Sequence, residues 1–413
     1  MSQTANDVAT SLNANYKEVY GDDIEDLVPD GVRLLTDIKF AEGDQQQGGT
    51  FNQPVGLGLE HGITFEAGDV VANLNSAVAG KLENAQVTGY QIVGRAQFGW
   101  TTASRAAGSK KAFRAATEIV LKNLMLSVKK KAEGLILYGQ SGLGTIDTVS
   151  GSTQINLTPA TTAEGLWVGM TNMPIDIYNS TTLVKSNVRI TAVDILSTGA
   201  VRLTVDDLGT AAAGHELYYY NSFGKQFMGI NKILTQTGGT LFNISQTTYP
   251  DLWQGTTYGA AGQLTYGKVV RALAKALPKG GEGSFKGYVH PETWQDVVAE
   301  METTTATYDS RYKPSVLERG VNSIKFHCVA GVVELVASTH VKRGDAFLLL
   351  QDGCWKRIGS TDVTMRVPGV SDQQIFVPLA NAAGFEVRCY ADFAPFCDKP
   401  AANVKITGIT QSS

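Results

Sequence analysis

The strongest periodicity in the chain lies between about Ser109 and Tyr138, where apolar residues recur every three or four positions. One apolar face of a 3.6-residue helix carries Phe113, Ala116, Val120, Leu124 and Val128. The opposite face carries the basic residues Lys111, Arg114, Lys122 and Lys129. Ser109 can cap the N-terminus, and Gly139 is typical of a helix stop. At 1.5 Å per residue the helix is roughly 45 Å long, so we expect it to span a whole domain.

The residues before this helix show a different pattern of polar and apolar positions. The first 40 residues or so are polar, with acidic residues at positions 22, 23, 25 and 26. Residues 41–99 are rich in Gly and Gln, and polar and apolar positions alternate at 62–66 and at 90–98. Such alternation predicts strands, here of a long exposed hairpin loop and of the segment that leads out of it. Loops of this size are uncommon inside a compact domain, so a functional role is expected.

The chain after the helix is predicted to be mixed. Residues 158–239 are mostly β in pattern, with a hairpin at 188–193 and 201–205 and a further strand at 216–220. Beyond them we predict helices at 264–277 and from Pro291, together with strands at 285–289, 324–328, 332–336, 385–390 and 404–409. The predicted class is therefore α+β.

Composition limits the kinds of protein that fit this pattern. The 413 residues are 43% hydrophobic and only 18% charged, carry a net charge of −4, and include 44 glycines. With a mean hydropathy of −0.07, these values exclude a disordered chain and suit a surface that other subunits cover. No secretory signal opens the sequence, and no stretch approaches the roughly 18 apolar residues of a membrane span. We expect no membrane association.

The positions of the cysteines and the overall charge bear on whether the chain forms disulfides, binds zinc or binds nucleic acid tightly. Cys328, Cys354, Cys389 and Cys397 all lie in the C-terminal quarter without a C-x-x-C pair. We therefore expect neither a disulfide nor a zinc framework, and assembly in a reducing cytoplasm. An isoelectric point near 5.8 argues against affinity built on phosphate neutralisation.

Catalytic signatures are absent from the sequence. The five histidines have no metal-ligand spacing, and residues 139–143 resemble a nucleophile elbow but lack its final glycine. No phosphate-binding loop of the G-x-x-x-x-G-K-[ST] type is present. We therefore predict no enzymatic activity, no cofactor and no metal, and an enzyme remains an alternative only if acid–base groups converge in the fold.

The order of these parts resembles the major capsid proteins of tailed bacteriophages, whose fold is shared with herpesvirus shells and encapsulins. The similar stretches are EHGITFEAGD in the loop, GSKKAFRAATEIVLKNLMLSVKKKAEGLILYG in the helix, GYVHPETWQDV, and the ending FEVRCYADFAPFCDKPAANVKITGI. The resemblance implies an N-terminal arm (1–40), an extended loop (41–99), a spine helix and peripheral domain (100–157), a β-rich insertion (158–239), an axial domain (240–375) and C-terminal strands of the peripheral domain (376–413). Only some members of the family carry such an insertion.

The same resemblance implies a function and its partners. The chain would be a structural subunit of an icosahedral virion, assembled in the host cytoplasm into hexamers and pentamers that enclose double-stranded DNA. An encapsulin-like compartment that packages a cargo enzyme is the alternative. A portal and a decoration protein are further expected partners, and DNA would be contacted weakly. Because the chain has no long charged helical N-terminal extension, a separate scaffolding protein is expected.

Two groups of residues are candidates for contacts. In the loop these are Glu60, His61, Phe65 and Glu66, expected to meet a neighbouring subunit. On the spine, the basic face (Lys111, Arg114, Lys122 and Lys129) is either solvated, paired with the acidic arm, or in contact with scaffold or DNA. In some relatives a loop lysine bonds covalently to a neighbour. No lysine lies between Phe40 and Gly80 here, so a non-covalent shell is predicted.

Overall fold

The computed structural model describes residues 32–41, 50–68, 71, 73–99, 110–308, 323–366, 376–379 and 382–412. The α-helices of these residues are α1 (Leu34–Asp37), α2 (Lys110–Tyr138), α3 (Ile230–Thr235), α4 (Tyr266–Ala276) and α5 (Pro291–Tyr308). The strands are β1 (Phe51–Gly58), β2 (Lys81–Val87), β3 (Tyr90–Gly99), β4 (Ile146–Ser150), β5 (Gln154–Leu157), β6 (Pro174–Asn179), β7 (Thr182–Ile195), β8 (Val201–Val205), β9 (Glu216–Tyr219), β10 (Thr240–Leu241), β11 (Ile244–Ser245), β12 (Thr256–Gly262), β13 (Gly283–Val289), β14 (Ser323–Cys328), β15 (Gly331–Ala337), β16 (Ala346–Leu350), β17 (Trp355–Thr364), β18 (Phe376–Pro378), β19 (Gly384–Cys397) and β20 (Val404–Ile409). The α+β class is confirmed.

The spine helix α2 ends where the sequence predicts, at Tyr138. Its predicted cap, Ser109, lies outside the described residues, as do the side chains of 110–119. Val128 of the predicted apolar face is buried against β3. A Cβ atom on Gly94 of β3 would lie 2.6 Å from Val128 Cγ2, so glycine is what allows the strand to approach the helix so closely.

The sheet beside the spine is built on the 14-residue strand β19. One edge of β19 pairs with β3, from Gly99↔Gly384 to Tyr90↔Phe393. The other edge pairs with β17 and β18. We call these four strands the β19 sheet. Strand β17 lies within residues 240–375, which the resemblance assigns to the axial domain, and it pairs along β19.

The second sheet has six strands in the order β12-β20-β16-β13-β15-β14 and mixes parallel with antiparallel pairs. This mixed sheet includes β20, although the sequence analysis assigned both closing strands to the sheet beside the spine. That prediction is wrong because the 3-10 turn Pro400–Ala402 redirects the chain after β19. Buried Asn403 then fixes the new direction: its Oδ1 accepts the Leu350 N–H at 2.7 Å and the Trp355 Nε1–H at 2.8 Å.

The insertion forms a separate antiparallel sheet in the order β4-β5-β8-β7-β6-β9. The predicted hairpin is confirmed, with Ile190 opposite Val205 and Val193 opposite Leu203. The sheet begins at Ile146 rather than at residue 158, so the predicted boundary is wrong. The reason is that β4 and β5 form a hairpin whose second strand pairs with β8, Ile155 opposite Leu203.

A partly buried ionic cluster joins the insertion to the mixed sheet. Glu164, between β5 and β6, shares a 2.7 Å hydrogen bond with His290 Nε2 and accepts one of 2.9 Å from Arg343 Nε. The same guanidinium donates to Glu292 at the start of α5, at 2.6 Å. Burial alone would raise the pKa of Glu164, but the hydrogen bond and charge of His290, with Arg343, lower it to about 2.

The end of the N-terminal arm is held by the spine helix. The carboxylate of Glu133, fully buried in α2, accepts backbone N–H groups from Arg33, Leu34 and Leu35 at 3.1, 2.8 and 2.7 Å. These are the first N–H groups of α1, which have no partners within a helix. The predicted polar arm therefore ends in an apolar anchor, with Leu34 completely buried.

We predict that Glu133→Ala releases this anchor. The substitution leaves the N–H groups of buried Leu34 and Leu35, and the partly buried N–H of Arg33, without their acceptor, and each buried unpaired donor costs about 1–3 kcal/mol. Limited proteolysis with mass mapping is expected to detect cleavage between Arg33 and Phe40 that the parent chain resists. Lys122→Ala, at an exposed position of the same helix, is the control and should leave the cleavage pattern unchanged. Equal resistance in the two variants would contradict the anchor.

A second prediction concerns acid. The folded pKa of Glu164, about 2, lies below its ordinary value of 4.5, so its contribution to stability is present above pH 4.5 and is lost as the pH falls through 2. The thermal midpoint of the parent chain should exceed that of Glu164→Gln at pH 6, and the difference should shrink between pH 4.5 and pH 2. A difference that is constant over this range would count against the cluster.

Candidate self-assembly surface

The extended loop is a hairpin whose strands lie at its base. β1 and β2 pair from Phe51↔Val87 to Gly56↔Leu82, and residues 59–80 between them form what we call the loop tip. The strand predicted at 62–66 is wrong, because side chains there replace a backbone ladder. Asn75 donates its backbone N–H to Thr64 Oγ1 at 2.8 Å and its Nδ2 to the Ile63 carbonyl at 3.0 Å.

The neck of the tip requires glycine. A Cβ atom on Gly80 would lie 2.7 Å from the Gly58 carbonyl oxygen, a distance that real Cβ atoms do not adopt. Above the neck, the His61 N–H donates to the Val78 carbonyl at 3.0 Å. The two glycines therefore bring the two sides of the loop together where the strands end.

The base of the hairpin is anchored on the body of the protein. Leu57, Ala85 and Val87 are buried. The ring centroid of Phe51 lies 6.1 Å from that of Phe396 in β19, and the Gln86 N–H donates to a body carbonyl at 2.8 Å. The base is thus fixed, and it carries the tip outward.

The tip exposes a concentration of apolar side chains. In the described part of the chain, seven of the fifteen exposed large hydrophobic side chains lie on the tip or next to it: Leu59, Ile63, Phe65, Val71, Leu74, Val78 and Leu82. Phe65 is 87% exposed and Val71 is 90% exposed. Such a concentration of exposed apolar side chains in one segment is typical of a site of interaction with another molecule.

The structure brings the four predicted loop residues together on this tip. Glu60, His61, Phe65 and Glu66 are all exposed. Sequence reasoning missed the other apolar residues, because they follow no helical or strand period. The available signal was their occurrence between Gly, Asn and Ser residues, where no core could include them.

The basic spine face is not uniform. Lys122 is exposed, whereas Lys129 is half-buried and lines a cavity of about 300 Å³ that Arg357 and Asp362 also line. The side chains of Lys111 and Arg114 lie outside the described residues. What these four residues contact remains a prediction.

A polar cavity of about 420 Å³ lies where the spine, the insertion and the mixed sheet meet. Two of the three lysines that line it make close contacts with neighbouring groups. Lys342 Nζ donates to the Gly142 carbonyl at 2.5 Å and Lys405 Nζ lies 3.0 Å from Asp345, and burial lowers the pKa of Lys342 to about 8. These contacts join structural elements to one another.

The described residues contain no group of three or more His, Cys, Asp or Glu side chains that could hold a metal ion. Among the same residues, none of the helices has the length and apolar character needed to cross a membrane.

Comparison with known proteins identifies the fold. No family model and no curated protein matches the sequence. Among solved structures, the chain is similar to one in the capsid asymmetric unit of cyanophage A-1(L), with 11% identity, a TM-score of 0.58, and coverage of 97% of this chain and 99% of that one. It is also similar to the capsid of an empty GTA particle, with 8% identity, a TM-score of 0.49, and coverage of 99% of this chain and 100% of that one. A third similar structure is the holo-SrpI encapsulin complex of Synechococcus elongatus PCC 7942, with 9% identity, a TM-score of 0.40, and coverage of 100% of this chain and 99% of that one. Since the cyanophage similarity covers nearly the whole of both chains, the fold is that of a phage capsid subunit.

The exposure of the tip predicts how stability responds to substitution. Phe65→Ser should change the free energy of unfolding by less than about 0.5 kcal/mol, because the ring makes little contact within the chain. Leu57→Ser, at the buried base, should cost about 2–4 kcal/mol through lost packing and an unpaired hydroxyl. Urea denaturation of the two variants measures this contrast, and a large loss for Phe65→Ser would mean that the tip packs on its own body.

Proposed function

We propose that the chain is the major capsid protein of a tailed bacteriophage, a structural subunit that assembles into a closed icosahedral shell around double-stranded DNA. Two findings support the proposal. The fold of a phage capsid subunit extends over essentially the entire chain. The extended loop exposes apolar side chains that a solitary folded protein would have no reason to display.

The apolar loop tip carries the argument. Burying one Val, Leu or Phe side chain is worth about 1.5–3 kcal/mol, and the tip offers several at once. In a ring of identical subunits, each chain gives its tip to one neighbour and receives a tip from the other, so the contact is repeated until the ring closes. The partner most consistent with such a surface is a second copy of the same chain.

The same proposal includes finer features. The rings would be hexamers and pentamers, assembled in the host cytoplasm with a separate scaffolding protein and a portal, and strengthened in the virion by non-covalent contacts or by a decoration protein. The absence of lysine between Phe40 and Gly80 supports the non-covalent form. DNA would be contacted weakly, in keeping with the net charge of −4.

The proposal is tested by making the tip polar. Phe65→Ser combined with Leu74→Ser removes two of its most exposed apolar side chains. The parent chain, with a scaffold if one is needed, should form shells, rings or sheets in negative-stain electron microscopy, whereas the double variant should remain a folded monomer in sedimentation velocity. Val329→Ser is the matched control, since Val329 is 76% exposed but lies outside the loop.

Three outcomes would count against the proposal or favour its alternative. A double variant that assembles as well as the parent, or a parent chain that stays monomeric at high concentration, would overturn the role of the tip. Shells recovered from the natural source with a protein cargo and no DNA would instead favour an encapsulin-like compartment.

A further inference from the structure

Two cysteine side chains meet at the end of the β19 sheet. Cys354 immediately precedes β17, and Cys397 is the last residue of β19. Their Sγ atoms are 3.5 Å apart. Both residues are buried, with 5% and 0% of their surface exposed. They are 43 residues apart in sequence, so only the fold brings them together.

The pair is held in place by its surroundings. Asn403 Nδ2 donates to the Lys399 carbonyl at 2.8 Å and lies 3.5 Å from Cys354 Sγ and 3.3 Å from Cys397 Sγ. The Asp398 N–H donates to the Cys354 carbonyl at 3.0 Å. The backbones on which the thiols stand are therefore tied to each other and to the start of β20.

The residues next to the two cysteines in sequence are more exposed than the cysteines themselves. On one strand, Cys354 follows the exposed turn residues Asp352 and Gly353. On the other, Cys397 is followed by half-buried Asp398 and exposed Lys399. The two buried thiols thus adjoin exposed residues in sequence at the end of the sheet.

The two thiols differ in acidity. The hydrogen bond with Cys397 lowers the pKa of Cys354 despite its burial, with help from Asn403 and the Lys399 backbone. Burial raises the pKa of Cys397 well above its ordinary value. Cys354 is therefore the better nucleophile, because the thiolate is the reactive form of cysteine.

We propose that Cys354 and Cys397 are an oxidative modification site that closes to an intrachain disulfide when a hydroperoxide reaches the folded protein. The Cys354 thiolate attacks the peroxide oxygen, the O–O bond breaks, and one hydroxide leaves as the sulfenic acid forms. Cys397 then attacks that sulfur, the S–O bond breaks, and its thiol proton leaves with the hydroxyl as water. Overall, two thiols and one hydrogen peroxide give one disulfide and two molecules of water.

Disulfide formation requires only a small movement of the two sulfur atoms. A disulfide bond is about 2.0 Å long, so the sulfur atoms need to approach by about 1.5 Å. The bond would join the residue before β17 to the last residue of β19, beside the point where β20 enters the mixed sheet. A chain that folds with free thiols in a reducing compartment would acquire this link in an oxidising one, which goes beyond the proposed shell function.

The proposal is tested on the full chain, reduced, folded and exposed to hydrogen peroxide. After alkylation of the remaining thiols, peptide mass mapping should show two of the four cysteines lost to a Cys354–Cys397 cross-link. Dithiothreitol should reverse the link, and the thermal midpoint of the oxidised chain should exceed that of the reduced chain. Because this comparison uses the parent sequence, it does not depend on how a variant folds.

Single substitutions test whether the cross-link and the rise in the thermal midpoint depend on Cys354 and Cys397. Cys354→Ser and Cys397→Ser should each abolish both the cross-link and the peroxide-induced rise in the thermal midpoint. Cys389→Ser, a substitution of another buried cysteine in β19, should retain both. Four free thiols after treatment, over-oxidation of Cys354 without a cross-link, or an interchain bond through Cys328 would each overturn the proposal.

Discussion

The rest of the structure depends on one constraint, the burial of the C-terminal part of the spine helix on all sides. Every residue from 132 to 138 is buried, so each face of that stretch must fit a different part of the chain. Glu133 satisfies the N-terminal anchor helix. Gly134 lets the helix approach the insertion, since a Cβ there would lie 2.7 Å from Tyr219 Oη, although glycine in a helix costs about 1 kcal/mol. The Tyr138 hydroxyl accepts a backbone N–H from the loop before β16 at 2.8 Å. Arm, insertion and mixed sheet are thus all positioned by two turns of one helix.

The extended loop contrasts with this tightly packed stretch of the spine. The body is held together by a large apolar core and by ties such as the Glu164 cluster and Asn403. The hairpin base joins that rigid body, whereas the tip beyond Gly58 exposes Phe65 and its neighbours. Under the proposed function, the tip would contact a neighbouring copy while the hairpin base stays packed on the body.

Features set by interactions between residues close in sequence could be predicted, whereas features set by residues distant in sequence could not. The spine helix was predicted to its last residue because periodicity and the stop at Gly139 are local signals. The strand predicted at 62–66 failed because alternation shows only that a segment can be extended, and its hydrogen-bond partners turned out to be side chains such as Asn75. The prediction of the sheet to which β20 belongs was also wrong. The residue pattern of a strand does not show which strand it pairs with, and for β20 the partner is decided by Asn403 and the preceding turn. The four candidate loop residues lie on the exposed tip, but most of the apolar residues around them have no period and could not be recognised.

The proximity of Cys354 and Cys397 is another feature that the sequence could not predict. Spacing along the chain predicts no disulfide framework, and that inference assumes that paired cysteines can be recognised by their separation. In this fold, the chain leaves β17, passes through β18, and returns along β19, so that residues 43 positions apart end with their sulfur atoms 3.5 Å apart. Asn403 contacts both sulfurs while it also holds Trp355 and Leu350. The proposed bond would therefore link β17 to β19 within the β19 sheet, next to the junction at which the chain passes from that sheet into the mixed sheet.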